Sequence, residues 1–328
     1  IYYFKDMRFS LLFLTFLYGC SLFGQEEEIP YKDAMYEVHE PDTYTYAIEG
    51  EDTLKMDVFL PKGTTDPARP VVLFVHGGGF AGGTRGGETH HGFCRELASH
   101  GYVAITMSYR LTMKGKSFHC DQPAENKVKT FQAAVNDVRG ATAALIDMAK
   151  NIRIDPSQIV LAGSSAGAEA VLHAAYWAPN LFNEESQLLP NEFSYAGVIS
   201  FAGALVDVEM ITDSNALPTQ LFHGTCDNLV PYASAAHHYC DPGDPGYLML
   251  DGAYSIAQYL HELGKPYYLH TTCGGVHEVA GSPMTKYVEE IVDFLYNDVV
   301  QQNFRQVHVQ INPDGISCEP TRIIPCAK

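Results

Sequence analysis

Basic residues are scarce in this chain: 21 Lys and Arg stand against 39 Asp and Glu, a formal net charge of −18 over 328 residues. A phosphate backbone is bound by a basic face, so nucleic acid is excluded as a partner. None of the eight cysteines stands in a C-x-x-C pair, which removes the usual spacing of zinc ligands, and no metal set is assigned. The apolar stretch 9–17 falls short of the roughly 20 residues that a membrane-spanning helix needs. Charged residues make up only 18% of the chain and hydrophobic ones 46%, which excludes a disordered polymer and leaves enough apolar side chains for a sizeable core. The length suits one large α/β domain or two small ones.

What is present begins with an export signal. Met7-Arg8 precedes the apolar stretch and reads as the start of a secretory leader, residues 1–6 lying upstream of it. Cleavage near Gly24-Gln25 is the expected processing site. The alternative is a lipobox at Leu17-Tyr18-Gly19-Cys20, which would place a lipid on Cys20. Either route gives a secreted, periplasmic or outer-surface protein. Eight cysteines fit an oxidising compartment. The pairings expected are Cys318 with Cys326, Cys226 with Cys273, and Cys120 with Cys240. The chain then divides into leader (1–24), an acidic and flexible stretch (25–40), one domain (41–300) and a tail (301–328).

Two alternating stretches, 43–48 and 54–60, flank Glu49-Gly50-Glu51-Asp52 and predict an antiparallel hairpin at a sheet edge. Continuous apolar runs at 71–75, 102–107, 159–162, 195–202, 219–223 and 266–272 read as buried strands. They alternate with helical patterns at 93–100, 130–151, 168–175, 253–263 and 286–300. Strand and helix in alternation imply an α/β fold: a mostly parallel central sheet covered by helices on both faces. In such a sheet the functional site lies at the carboxyl ends of the strands.

Four of those ends carry chemistry. Gly163-Ser164-Ser165-Ala166-Gly167 joins a strand to a helix, and the two glycines let both elements close around a serine whose hydroxyl is pushed outward. Ser165, centred between the glycines, is preferred to Ser164 as nucleophile. A serine hydroxyl needs a base, and His277, after the last of these strands, can take its proton and return it to a leaving alcohol. Asp227 is preferred to Asp207 and Asp213 as the carboxylate that orients the histidine. His76-Gly77-Gly78-Gly79-Phe80 supplies unhindered backbone N–H groups, so Gly78 and Gly79, with Ala166, are the candidate oxyanion hole. Phe80 and Tyr109 are candidate substrate contacts or core residues. His223 reads as buried packing, and His90 and His91 as a loop pair that lines the pocket, binds a metal or is simply exposed.

Taken together, the HGGGF, GSSAG, His223-Gly224-Thr225-x-Asp227 and Gly275-Val276-His277 motifs, in that order, resemble the α/β-hydrolase superfamily in its carboxylesterase and lipase branch. The resemblance covers about residues 40–300. It implies the α/β-hydrolase fold, a serine carboxylic-ester hydrolase acting through an acyl-enzyme, and no cofactor. Ser164 stands where lipase relatives of one branch carry an acid. Asp227 follows Ser165 too closely for a large inserted cap, which implies an open cleft. Short-chain or aryl esters are expected as substrates, including acetyl or feruloyl esters of polysaccharides. The alternatives are a serine peptidase of the same fold, which the lack of a preceding propeller-like repeat disfavours, and a binding protein that has lost its catalysis.

Overall fold

Runs of β-branched and aromatic residues build the frame. In the computed structural model, which describes residues 28–178, 189–313 and 315, β1 (Asp42–Glu49) and β2 (Asp52–Phe59) form the expected antiparallel hairpin, turning at Gly50. Then come β3 (Arg69–Val75), α1 (Glu88–Ser99), β4 (Val103–Met107), α2 (Ala124–Ile152), β5 (Ile154–Ser164) and α3 (Ala166–Tyr176). The second half holds β6 (Gly197–Phe201), β7 (Ala204–Leu205), β8 (Thr219–Gly224), β9 (Ser234–Ala236) and β10 (Met249–Gly252). It continues with α4 (Ala253–Glu262), β11 (Tyr267–Thr272), α5 (Pro283–Lys286), α6 (Val288–Phe294) and β12 (Gln306–Ile311).

Among the described residues, nine strands make one sheet in the order β1-β2-β4-β3-β5-β6-β8-β11-β12. The β1/β2 and β2/β4 pairings are antiparallel and the others parallel. Side-chain alternation along each strand splits the apolar residues between two cores. Val71, Leu73 and Val75 of β3 pack with Phe131 and Val138 of α2, Val171 of α3 and Ile256 of α4. Val72 and Phe74 of the same strand pack with Phe93 and Leu97 of α1 and with Ile291 and Phe294 of α6. Helices therefore cover both faces, as the continuous apolar strands require. Each fully buried side chain of this size contributes about 1.5–3 kcal/mol.

Some expectations are corrected. Residues 28–40 are not a free leader: Tyr31 and Tyr36 donate backbone N–H groups to His100 and Ser99, and the Tyr31 ring lies 5.4 Å from that of Tyr102. The sheet also runs past residue 300, because β12 pairs in parallel with β11 and takes up its outer edge. α1 and α2 each begin several residues before the predicted start, so His90 and His91 are helical rather than part of a loop. β7, β10 and β9 form a small antiparallel sheet that the sequence pattern did not suggest. Between β6 and β8, residues 202–218 hold only β7 and one short turn, leaving no room there for an inserted cap. The leader and Cys20 lie outside the described residues, as do Cys318 and Cys326.

Candidate active site

The tight turn from β5 into α3 places Ser165 at φ 52° and ψ −122°, a conformation that non-glycine residues rarely adopt and that marks sites where strain is held by the surrounding fold. The glycines on either side make it possible. A Cβ on Gly163 would come within 2.3 Å of the Gly167 carbonyl oxygen, and one on Gly167 within 2.1 Å of the Val75 carbonyl oxygen. The Ser165 N–H donates to Phe201 O at 2.8 Å, tying the turn to β6. Ser164 points elsewhere and donates its hydroxyl to Ala280 O at 2.7 Å.

Ser165, His277 and Asp227 come together although they lie far apart in sequence. Ser165 Oγ is 2.8 Å from His277 Nε2, and His277 Nδ1 is 2.7 Å from Asp227 Oδ2. With a proton on Nδ1 donated to the carboxylate, Nε2 is left as the acceptor that faces the serine. Burial would push the Asp227 carboxyl upward, but hydrogen bonds from His223 and His277 and their charges outweigh it and hold the group well below the ordinary carboxylate range. Backbone N–H groups of Leu229 and Val230 complete the shell on Oδ1. For His277, burial favours the neutral ring; the hydrogen bond and charge of Asp227, with the charge of Glu169, outweigh it and move the pKa upward.

The glycine loop leaves β3 directly beside this pair. Gly78 and Gly79 both have positive φ, 116° and 60°, and a Cβ on Gly78 would strike the Gly82 carbonyl. N–H groups of Ala81 and Gly82 close the loop on Gly78 O. A Cβ on Gly77 would touch both Ser164 O and Ser165 Cβ, so loop and elbow are in contact. His76 braces the strand end: it is buried, its Nδ1 lies 2.8 Å from Gly77 O, and burial lowers its pKa to about 4. Ala166 is the first residue of α3, ahead of the first intrahelical bond, which runs from Glu169 N to Ser165 O.

Other candidates are placed elsewhere. Phe80 is fully buried among Phe118, Phe131 and Tyr109, and Tyr109 donates its hydroxyl to His76 O. Both are core residues, which corrects their assignment as substrate contacts; the left-handed backbone at Phe80 (φ 57°) turns its ring inward. Asp207 caps a short turn by accepting from Glu209 N, and Asp213 pairs with Lys265. His223 is buried with Nε2 3.3 Å from Asp227 Oδ2, a support for the acid. His91 pairs with Asp57, which also holds Arg85, and the His90 ring packs 5.0 Å from Phe74. Cys120 and Cys240 are bridged, Cys226 and Cys273 are each disulfide-bonded, and Cys94 is a buried thiol.

One group near the site escaped the sequence reading. Glu169, one turn after Ser165, is buried, with Oε1 3.2 Å from Nε2 of the equally buried His237. An acid inside the apolar run 168–175 was the available signal. For His237, in a loop before the small sheet, there was none.

A family model described as BD-FAE matches residues 56–215. The juvenile hormone esterase of Heliothis virescens is 39% identical over 110 residues, 33% of this chain and 18% of that protein. The fumonisin B1 esterase of Sphingopyxis macrogoltabida is 34% identical over 125 residues, 37% of this chain and 22% of that protein. The chain thus spans about a fifth of the length of these two relatives. Among solved structures, the apo form of Thermogutta terrifontis esterase 2 is similar in fold, with a TM-score of 0.58 at 18% identity over 81% of this chain and 96% of that one.

Proposed function

We propose that this chain, a member of the α/β-hydrolase superfamily in its carboxylesterase and lipase branch, is a serine carboxylic-ester hydrolase that works through an acyl-enzyme. The observation that carries the reading is the hydrogen-bonded series from Ser165 Oγ through His277 to Asp227, at 2.8 and 2.7 Å. Ser165 Oγ attacks the ester carbonyl carbon while its proton passes to His277 Nε2. Asp227 stabilises the imidazolium that results. The oxyanion is held by the N–H groups of Gly78, Gly79 and Ala166; the positive φ of the two glycines and the place of Ala166 at the start of α3 support this role. Collapse breaks the bond to the alcohol oxygen, which leaves with the proton from His277. Water then repeats the sequence on the acyl-serine.

The substrates are short-chain or aryl esters, among them acetyl or feruloyl esters carried on polysaccharides. Supporting this are the short connection between β6 and β8, which leaves the approach to Ser165 uncapped on that side, and relatives whose names are those of esterases. Action outside the cytoplasm belongs to the same proposal; the Cys120–Cys240 bridge supports it, since structural disulfides persist in oxidising compartments.

The test is hydrolysis of p-nitrophenyl esters of rising acyl length, of methyl ferulate and of acetylated xylan by the wild type and Ser165→Ala. Turnover that disappears in the variant supports the reading, and the rank order identifies the acyl group. A wild type inert on all of them, or a fully active Ser165→Ala, would overturn it.

A further inference from the structure

A carboxyl group withdrawn from water costs several kcal/mol unless something compensates it, so a buried acid beside a reactive histidine calls for a reason. Glu169 is 1% exposed. It sits in the first turn of α3, the helix that Ser165 opens, and its N–H donates to Ser165 O at 2.9 Å. Its Oε1 faces His237 Nε2 at 3.2 Å, and the His173 ring is anchored on its carbonyl. Charged and titratable groups face it from every neighbouring element: Lys127 from α2, Tyr109 from the loop after β4, His223 from β8, Asp227 from the loop after β8, His237 from the loop after β9, and His277 from the loop after β11. Of these charges, that of His277 acts on it most strongly.

We propose that Glu169 is a positioning residue that acts through His277, its carboxylate serving as a second counter-charge for the imidazolium that forms when Ser165 attacks. The inference rests on the esterase reading above. Asp227 binds His277 directly; Glu169 adds its charge from behind the nucleophile, across a dry interior where charges are poorly screened. His237 is the switch partner. Burial keeps its ring neutral, so Nε2 can accept a proton from Glu169 when the carboxyl is protonated. Burial raises Glu169 to about 8, with His277 and Lys127 pulling in the opposite direction. The carboxyl is therefore neutral at low pH and gains its charge as the solution becomes mildly alkaline.

A purely structural Glu169 would hold His237 equally well as a glutamine, and the pH profile separates the two roles. In the wild type, kcat is expected to rise in two steps. The first follows deprotonation of His277. The second, near pH 8, raises kcat about three- to tenfold, the effect of half to one pK unit on His277. Glu169→Gln is expected to lose the second step and plateau at the lower level, with KM within about twofold of the wild type. The same profiles read with a p-nitrophenyl phosphonate, by mass shift on Ser165, remove any dependence on the ester chosen. A single-step wild-type profile, which can be read even if the variant does not fold, overturns the inference. So does a two-step profile kept in Glu169→Gln. A wild type that turns over no ester and takes no phosphonate overturns the esterase reading instead.

Discussion

Gly167→Ala is a substitution of one methyl group at a residue whose backbone is ordinary helix, so only space opposes it. The added Cβ would sit 2.1 Å from the Val75 carbonyl oxygen and 2.6 Å from that of His76. Carbon and oxygen settle at about 3.2–3.5 Å, so α3 and the end of β3 must part by about 1 Å. Both are rigid backbone, so no side-chain rotation relieves the contact. Overpacking of this kind costs about 1–3 kcal/mol, which for a domain of this size lowers Tm by about 2–4 °C per kcal/mol. The catalytic loss is expected to be larger. β3 leads into the glycine loop and α3 carries Ser165, so the same displacement moves nucleophile and oxyanion donors apart. A misplacement of about 1 Å can cost 100-fold. Gly79→Ala is the control, since its Cβ meets nothing within 4 Å and only its φ of 60° resists, at about 1–2 kcal/mol. Initial rates on p-nitrophenyl butyrate beside thermal melts decide it. A Gly167→Ala enzyme with wild-type Tm and wild-type kcat/KM would refute the packing account of the elbow.

Asp227→Asn is expected to lower kcat by about 10³–10⁴-fold. Because Asp227 raises the pKa of His277, removing its charge also moves the acid limb of kcat/KM to lower pH, measurable in the residual activity. Phe80→Ala should cost about 3–5 kcal/mol in urea unfolding while leaving KM nearly unchanged, the signature of a core residue rather than a substrate contact. Replacing Cys120 and Cys240 together by serine opens a loop of 120 residues and is expected to cost about 2–5 kcal/mol, read as a fall in Tm under non-reducing conditions. Glu169 holds a proton in the folded state up to about pH 8 that the unfolded chain gives up near 4.5, so its contribution is complete below pH 4.5 and is lost as pH rises toward 8. Urea titrations at several pH values should show Glu169→Gln losing less stability across that window, by a few kcal/mol.

The elbow was legible because everything it needs is local. An apolar run, two glycines around a serine and a second apolar run specify strand, turn and helix without reference to the rest of the chain. The convergence of the glycine loop, Ser165, Asp227 and His277 was legible for a related reason: each follows a strand of a parallel sheet, and such strands end on one edge. Elsewhere local pattern misled. Lys127 carries a charge that reads as surface, yet its amine is buried and donates to Gly246 O, so α2 starts earlier than its polar first turn suggests. β12 has the alternation of an edge strand, but it becomes a strand only because β11 offers it an open row of backbone groups.

Sequence alone thus determined the order of elements, the strained serine turn and the identity of the acid and base, because period, glycine placement and chain order are properties of neighbouring residues. Tertiary structure decided which aromatic rings face the core, which histidine supports Asp227, and that Glu169 meets His237 behind the nucleophile. Those contacts join residues tens of positions apart, and their energies depend on burial, which arises only when the two cores close over the sheet.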